Sequence, residues 1–318
     1  METMTVRPPE TSPPLPSSDP IAPGPRLIDR YDAEGVAQVV RALEAIQNDA
    51  DQRDPLYEND GVACFDYLYT VITKHVLRCV HARGAEQLAE DDPRFQDLKF
   101  LACLDVAFAN RYLTALGFGE APDFQPSCWQ TLIDHRETRD ISPLIFAIAG
   151  VNAHVNFDLP FALVKACSVL ASELDAGTNH EDYQLINQIF AIHMQQLRQH
   201  FESRFGRGFD RAFVSTVENM LGDLVVVVAR DLAWMKAKKM WKFHGNDAKM
   251  LRAAKSRDRW VSRVNNCLFQ LDRLPAVAFR GLHLCPGPPR RAAKRGLGRT
   301  GWAGHDAYGA PPVPTGAT

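Results

Sequence analysis

The most apolar run of the chain is followed at once by its densest cluster of polar side chains. Residues 144–151 read Leu-Ile-Phe-Ala-Ile-Ala-Gly-Val, which is apolar on every side of a helix and predicts a buried helix. Four hydrogen-bonding side chains follow: Asn152, His154, Asn156 and Asp158. Burying such groups unpaired is costly, so they must bind each other, another helix or a ligand. A fold that buries residues 144–151 must therefore also accommodate this polar cluster.

His154 and Asp158 are four residues apart, which places both on one face of a helix. Three interpretations of the pair remain open. The carboxylate can orient the imidazole as an acid/base pair, or both groups can ligate a metal. Alternatively, the pair is structural: His154 bonds a carbonyl freed where Pro160 kinks the helix, and Asp158 caps the helix that continues from Pro160.

Asp105 is a second carboxylate on an apolar helix face. It is expected either to pair with an arginine of a neighbouring helix or to face His154, where it would join a site. We therefore take His154, Asp158 and Asp105 as the candidate catalytic residues. The candidate binding residues are Asn152, Asn156, Asn110 and Tyr112.

A metal site is the least supported interpretation, and no metal or cofactor is predicted. A catalytic zinc needs about three protein ligands and an open position. Besides His154 and Asp158, the nearest donors are Asp105, His75 and His135, which are scattered over three segments.

Helical periodicity continues through the middle of the chain, and no alternating pattern of strands competes with it. We predict an all-α fold, a multi-helix single globular domain at residues 30–275. Asp92-Pro93 and Ser142-Pro143 are read as helix starts. Residues 1–29, rich in proline, and residues 276–318, rich in proline, glycine and arginine, are predicted to be disordered.

Charge and composition exclude several classes of protein. Residues 286–318 carry a net charge of +4, which leaves −6 on the first 285 residues, so no nucleic-acid partner is expected. The sequence contains no run of 18 apolar residues, so no transmembrane segment is predicted. The seven cysteines are widely spaced and form no CxxC, which favours reduced thiols and a soluble, cytoplasmic protein. Motifs of nucleotide-binding proteins, serine hydrolases and zincins are absent.

Three strings resemble a bacterial family catalogued as domain of unknown function 5995. They are Gly61-Val-Ala-Cys-Phe-Asp-Tyr-Leu-Tyr69, Leu104-Asp-Val-Ala-Phe-Ala-Asn-Arg-Tyr112, and the stretch from Pro143 through Asn152-Ala-His-Val-Asn156 to Asp158-Leu-Pro160. The resemblance covers residues 35–240 and implies a mostly helical domain of no established activity. His154, Asp158 and Pro160 are also similar to a His-x-x-x-Asp string of helical zinc-dependent phospholipases C and nucleases, without their full set of histidines.

Two functions of different class follow as expectations, and the sequence does not decide whether the protein is an enzyme. In the first, an enzyme uses the buried His/Asp/Asn cluster on a small, largely apolar substrate. In the second, the protein is a non-catalytic helical module that binds a ligand or another protein, and the cluster is structural. A metal-dependent hydrolase is a further alternative. The sequence gives no oligomeric state.

Overall fold

The computed structural model describes residues 26–53, 60–82, 88–119, 124–205 and 223–272, which are helices and their connections. In chain order the helices are α1 (Ala33–Arg53), α2 (Gly61–His81), α3 (Leu98–Ala115), α4 (Ser127–Asp134), α5 (Pro143–Ala153), α6 (Leu159–Leu170), α7 (Asn179–Phe205), α8 (Asp223–Trp241) and α9 (Asp247–Asp272). The described residues contain no strand, so the predicted all-α fold is confirmed. Most residues of the two predicted tails lie outside these ranges.

Side-chain caps explain where several helices begin. Asp60 Oδ1 accepts hydrogen bonds from the first turn of α2, and Ser142 caps α5 with Pro143 in its first turn. The predicted start at Asp92-Pro93 is wrong. α3 begins at Leu98 with Asp97 as its N-cap, because Asp92 instead binds His75, Arg78 and its own loop.

α5 and α6 form one continuous segment through the centre of the core, joined by a π-helical turn at His154–Asp158. The π turn inserts an extra residue into the helix just before Pro160. Proline has no N–H, so Pro160 cannot donate a hydrogen bond to the carbonyl of Asn156 one turn earlier. That carbonyl accepts a hydrogen bond from Arg257 Nε of α9 instead. The prediction that Asp158 caps α6 is wrong, since its side chain makes no cap bond.

The segment Pro143–Leu170 is long and apolar enough to cross a membrane, by length and composition only. Within the fold, however, 78% of its most apolar window is buried against other helices. This segment is therefore a core helix of the domain as described, and α2, α3, α8 and α9 all contact it.

Gly150 lets α2 and α5 approach each other closely. A Cβ atom at this position would lie 2.4 Å from Cγ of Phe65, which is closer than real contacts allow. The absence of a side chain at Gly150 thus sets the position of the Phe65 ring, and this ring is one wall of the site described next.

Candidate functional site

His154 and Asp158 lie at the two ends of the π turn and contact each other. His154 Nδ1 is 3.1 Å from Asp158 Oδ2, and both side chains are buried. A carboxylate only accepts hydrogen bonds, so Nδ1 carries the proton in the neutral ring and Nε2 is left as an acceptor. Nε2 is buried and has no hydrogen-bond partner among the residues that the structure describes.

Two further donors hold the Asp158 carboxylate. Arg111 Nε of α3 donates to Oδ1 at 3.0 Å, and Trp129 Nε1 of α4 donates to Oδ2 at 2.8 Å. The guanidinium of Arg111 also lies over the rings of Phe157 and Phe161. Asp158 is therefore anchored from two other helices, and it orients the imidazole of His154.

Aromatic rings surround the imidazole. Phe108 stacks on it with ring centroids 3.4 Å apart and planes 8° apart, and Tyr69 contacts it edge-on at 4.6 Å. Three more rings lie within about 6 Å: Phe65, Tyr112 and Trp129. Burial lowers the pKa of His154, and this effect outweighs the Asp158 contact, which raises it. The ring is therefore a neutral acceptor at neutral pH.

A cavity opens beside His154. The empty space, including the open mouth, is about 640 Å³. The centre of a water molecule can move within about 50 Å³ of this space. Its walls come from α2, α3, the α5–α6 segment, α7 and α8, and they are mostly aliphatic and aromatic. Phe108, Val151 and Phe190 are only partly buried, so the wall reaches solvent there.

Three polar side chains besides His154 line this cavity: Tyr69, Asp105 and Arg230. Asp105 Oδ2 and Tyr69 Oη are buried, and neither has a hydrogen-bond partner in the described part of the chain. Burial raises the pKa of Asp105 to about 8, so its carboxyl is mostly protonated and uncharged at pH 7. The pKa of Tyr69 lies well above its ordinary value, mainly because the hydroxyl is buried and secondly because the negative charges of Asp105 and Asp158 disfavour its ionisation.

The structure thus places Asp105 in the same cavity as His154. The alternative, an ion pair of Asp105 with an arginine of a neighbouring helix, does not form among the described residues. Three parts of the site escaped sequence reasoning: the anchors Arg111 and Trp129, and Arg230. Arg230 follows the apolar run 224–229, the same kind of signal that singled out Asp105, whereas Arg111 and Trp129 have polar neighbours in the sequence and carry no such signal.

Asn152 and Asn156 are placed at the contact with α9 and do not line the cavity. Asn152 Nδ2 donates to Asn265 Oδ1 at 2.8 Å, and Asn156 Nδ2 donates to Asn152 Oδ1 at 3.0 Å. Asn265 Nδ2 continues the chain to the carbonyl of Cys128. Their hydrogen bonds tie α5 to α9 and α4.

Asn110 and Tyr112 also lie outside the cavity lining. Asn110 binds the backbone of Ile28 through both atoms of its amide, at 2.8 and 2.7 Å, and fixes the segment before α1. Tyr112 is fully buried among the rings around His154, and its hydroxyl interacts with the buried carboxyl of Asp66.

The two histidines considered as further metal ligands have other partners. His75 contacts His193 of α7, Arg78 and Asp92, while His135 stacks on Phe269 and contacts the carbonyl of Thr131. Across the ranges that the structure describes, no three His, Cys, Asp or Glu side chains are placed to hold one metal ion.

A family model described as a family of unknown function (DUF5995) matches residues 36–271. The resemblance deduced from the sequence is therefore confirmed, and it extends beyond residue 240 through α9. No curated protein matches the chain, and no solved structure matches it. The described residues that line the cavity all lie within the matched range.

Proposed function

Because the chain belongs to the DUF5995 family, whose description names no activity, we propose its function from the cavity: it binds a small, largely apolar molecule that donates a hydrogen bond to His154 Nε2. One observation carries the proposal. The imidazole is oriented by Asp158, yet its buried Nε2 has no partner. A ligand that donates a hydrogen bond would satisfy this acceptor, since buried acceptors are normally paired.

The walls of the cavity indicate the rest of the ligand. Leu68, Ile72, Leu104 and Phe190 surround the space, so a hydrocarbon group gains by leaving water there. The unpartnered Tyr69 and Asp105 offer further polar contacts on the same wall. An apolar body with one or two polar atoms matches this arrangement.

His154→Phe tests the proposal with 1-hexanol as the probe. Phenylalanine keeps a ring among the aromatic neighbours but removes Nε2, so we expect 1-hexanol to bind about five- to tenfold more weakly, which corresponds to about 1 kcal/mol. The affinity is measured by protein-observed NMR titration.

His135→Phe is the matched control, because His135 also stacks on an aromatic ring but does not line the cavity. It should leave the affinity for 1-hexanol unchanged. Equal affinity of the His154→Phe variant and the wild type would contradict the proposed hydrogen bond. If the wild type bound no probe and His154→Phe only destabilised the fold, the cluster would be structural.

General-base catalysis is the second candidate function, and the Asp158–His154 contact favours it. A carboxylate on Nδ1 leaves Nε2 free to take a proton from a bound water or hydroxyl group. The water would then attack an ester carbonyl, and the ester would split into an acid and an alcohol.

Hydrolysis of p-nitrophenyl butyrate is the assay for this candidate. Because the pKa of His154 is lowered, activity should stay constant through neutral pH and fall only below about pH 6.5, the ordinary histidine value. His154→Phe should lower kcat about 100-fold or more. Turnover that survives in this variant, or is absent from the wild type, would rule out general-base catalysis of this reaction.

A further inference from the structure

Arg230 of α8 is a buried cation that has no carboxylate partner among the described residues. It lines the cavity, and only 3% of its surface is exposed. Its Nη2 donates to the backbone carbonyl of Tyr183 at 2.6 Å, and its guanidinium lies 4.1 Å from the centroid of the Tyr183 ring. Nε has no acceptor.

Two acidic residues, Asp231 beside it in the chain and Asp105 in the same cavity, do not neutralise Arg230 by direct contact. The adjacent Asp231 uses Oδ1 to accept a hydrogen bond from Gln184. Asp105 lines the same cavity, but no described carboxylate lies within 4.0 Å of the guanidinium. Burial lowers the pKa of Arg230, yet a guanidinium keeps its proton at neutral pH.

A buried charge without a counter-ion is costly, so a bound anion would be favoured at Arg230. We propose that the ligand of the cavity is a small amphipathic hydroxycarboxylate: its carboxylate binds Arg230, its hydrocarbon part lies against the apolar wall, and its hydroxyl group donates the hydrogen bond to His154 Nε2. This inference rests on the proposed function, since it names the class of molecule that the His154 cavity binds.

The chemistry of the cavity favours a carboxylate over other charged groups. A guanidinium has planar donors that match the two oxygens of a carboxylate. Asp105 lines the same cavity but is mostly protonated at neutral pH, so it does not repel such a group.

Three probes of equal chain length test the carboxylate: hexanoate, 1-hexanol and hexylamine, titrated at pH 7 into the full-length protein. We expect hexanoate to bind at least about tenfold more tightly than 1-hexanol, and hexylamine to bind most weakly. Equal affinity of hexanoate and 1-hexanol, or a preference for hexylamine, would overturn the carboxylate but not the proposed function. Failure of every probe to bind would overturn both.

Arg230→Met identifies the residue that binds the carboxylate. It removes the charge at similar length, so hexanoate should lose its advantage while 1-hexanol still binds. Arg230→Lys keeps a positive charge, so it should still bind hexanoate more tightly than 1-hexanol. If Arg230→Met does not fold, the comparison of Arg230→Lys with the wild type tests whether Arg230 binds the carboxylate. Lys238→Met is the control, because Lys238 is a cation of the same helix that pairs with Asp175 at the surface and does not line the cavity. A preference for hexanoate that survives in Arg230→Met would refute the assignment.

Discussion

Asp105→Asn should make the protein more stable than the wild type, with an advantage that grows by on the order of 4 kcal/mol between pH 5 and pH 8. The folded protein holds a proton on Asp105 up to about pH 8, whereas the unfolded chain releases it near pH 4. Rising pH therefore favours the unfolded wild-type chain across this range. Asparagine is uncharged at every pH and has a similar shape, so the variant avoids this loss.

Urea unfolding of both proteins at several pH values measures the effect. Asp66 is also buried with a pKa raised to about 8, so both curves should keep a slope, and their difference isolates Asp105. Asp91→Asn, at an exposed position, is the control and should follow the wild type. Parallel curves for Asp105→Asn and the wild type would show that the Asp105 carboxyl is not protonated in the folded state.

Asp158→Ala should lower the free energy of unfolding by about 3–5 kcal/mol, because it leaves three donors without their shared acceptor. Trp129 Nε1 and His154 Nδ1 are buried, while Arg111 is 29% exposed and water can solvate part of its charge. Asp158→Asn keeps one acceptor oxygen and the volume of the side chain, so its loss should be smaller.

Chemical unfolding at pH 7 provides the measurement, and an exposed ion pair provides the control. Glu34 and Arg41 are 2.7 Å apart on the surface of α1, so Glu34→Ala should cost less than about 1 kcal/mol. If Asp158→Ala also lowered the free energy of unfolding by less than about 1 kcal/mol, the three hydrogen bonds to Asp158 would contribute little to stability. The same titrations with 1-hexanol would show whether the imidazole needs Asp158 to bind the ligand.

Several features of the site could be predicted from residues near each other in the chain. The i, i+4 spacing of His154 and Asp158 placed both on one helix face, where the structure shows that they contact each other, and the polar residue on an apolar helix face marked Asp105. The family resemblance rested on strings that contain these residues, and it is confirmed over residues 36–271. Each of these signals depends on spacing within one helix or one short segment.

Local signals failed where a side chain had a stronger partner elsewhere. Asp92 before a proline predicted a helix start, but its carboxylate binds Arg78 and His75 of α2. Asp158 before Pro160 predicted a cap, but Arg111 and Trp129 bind its oxygens. In both cases the carboxylate is stabilised more by charged or ring N–H donors of another helix than it would be by the backbone N–H groups of a helix beginning at its own position.

The amino-acid sequence by itself determined the helical class, the start of α5 at Ser142-Pro143 and the burial of the segment around His154. These follow from periodicity, caps and prolines, which act between residues a few positions apart. Only the tertiary structure decided which donors hold Asp158, that Asn152 binds α9, and that Arg230 faces the same cavity as His154. Such contacts join residues dozens of positions apart, and they form because the packing of helices leaves each buried polar group only a few partners within reach.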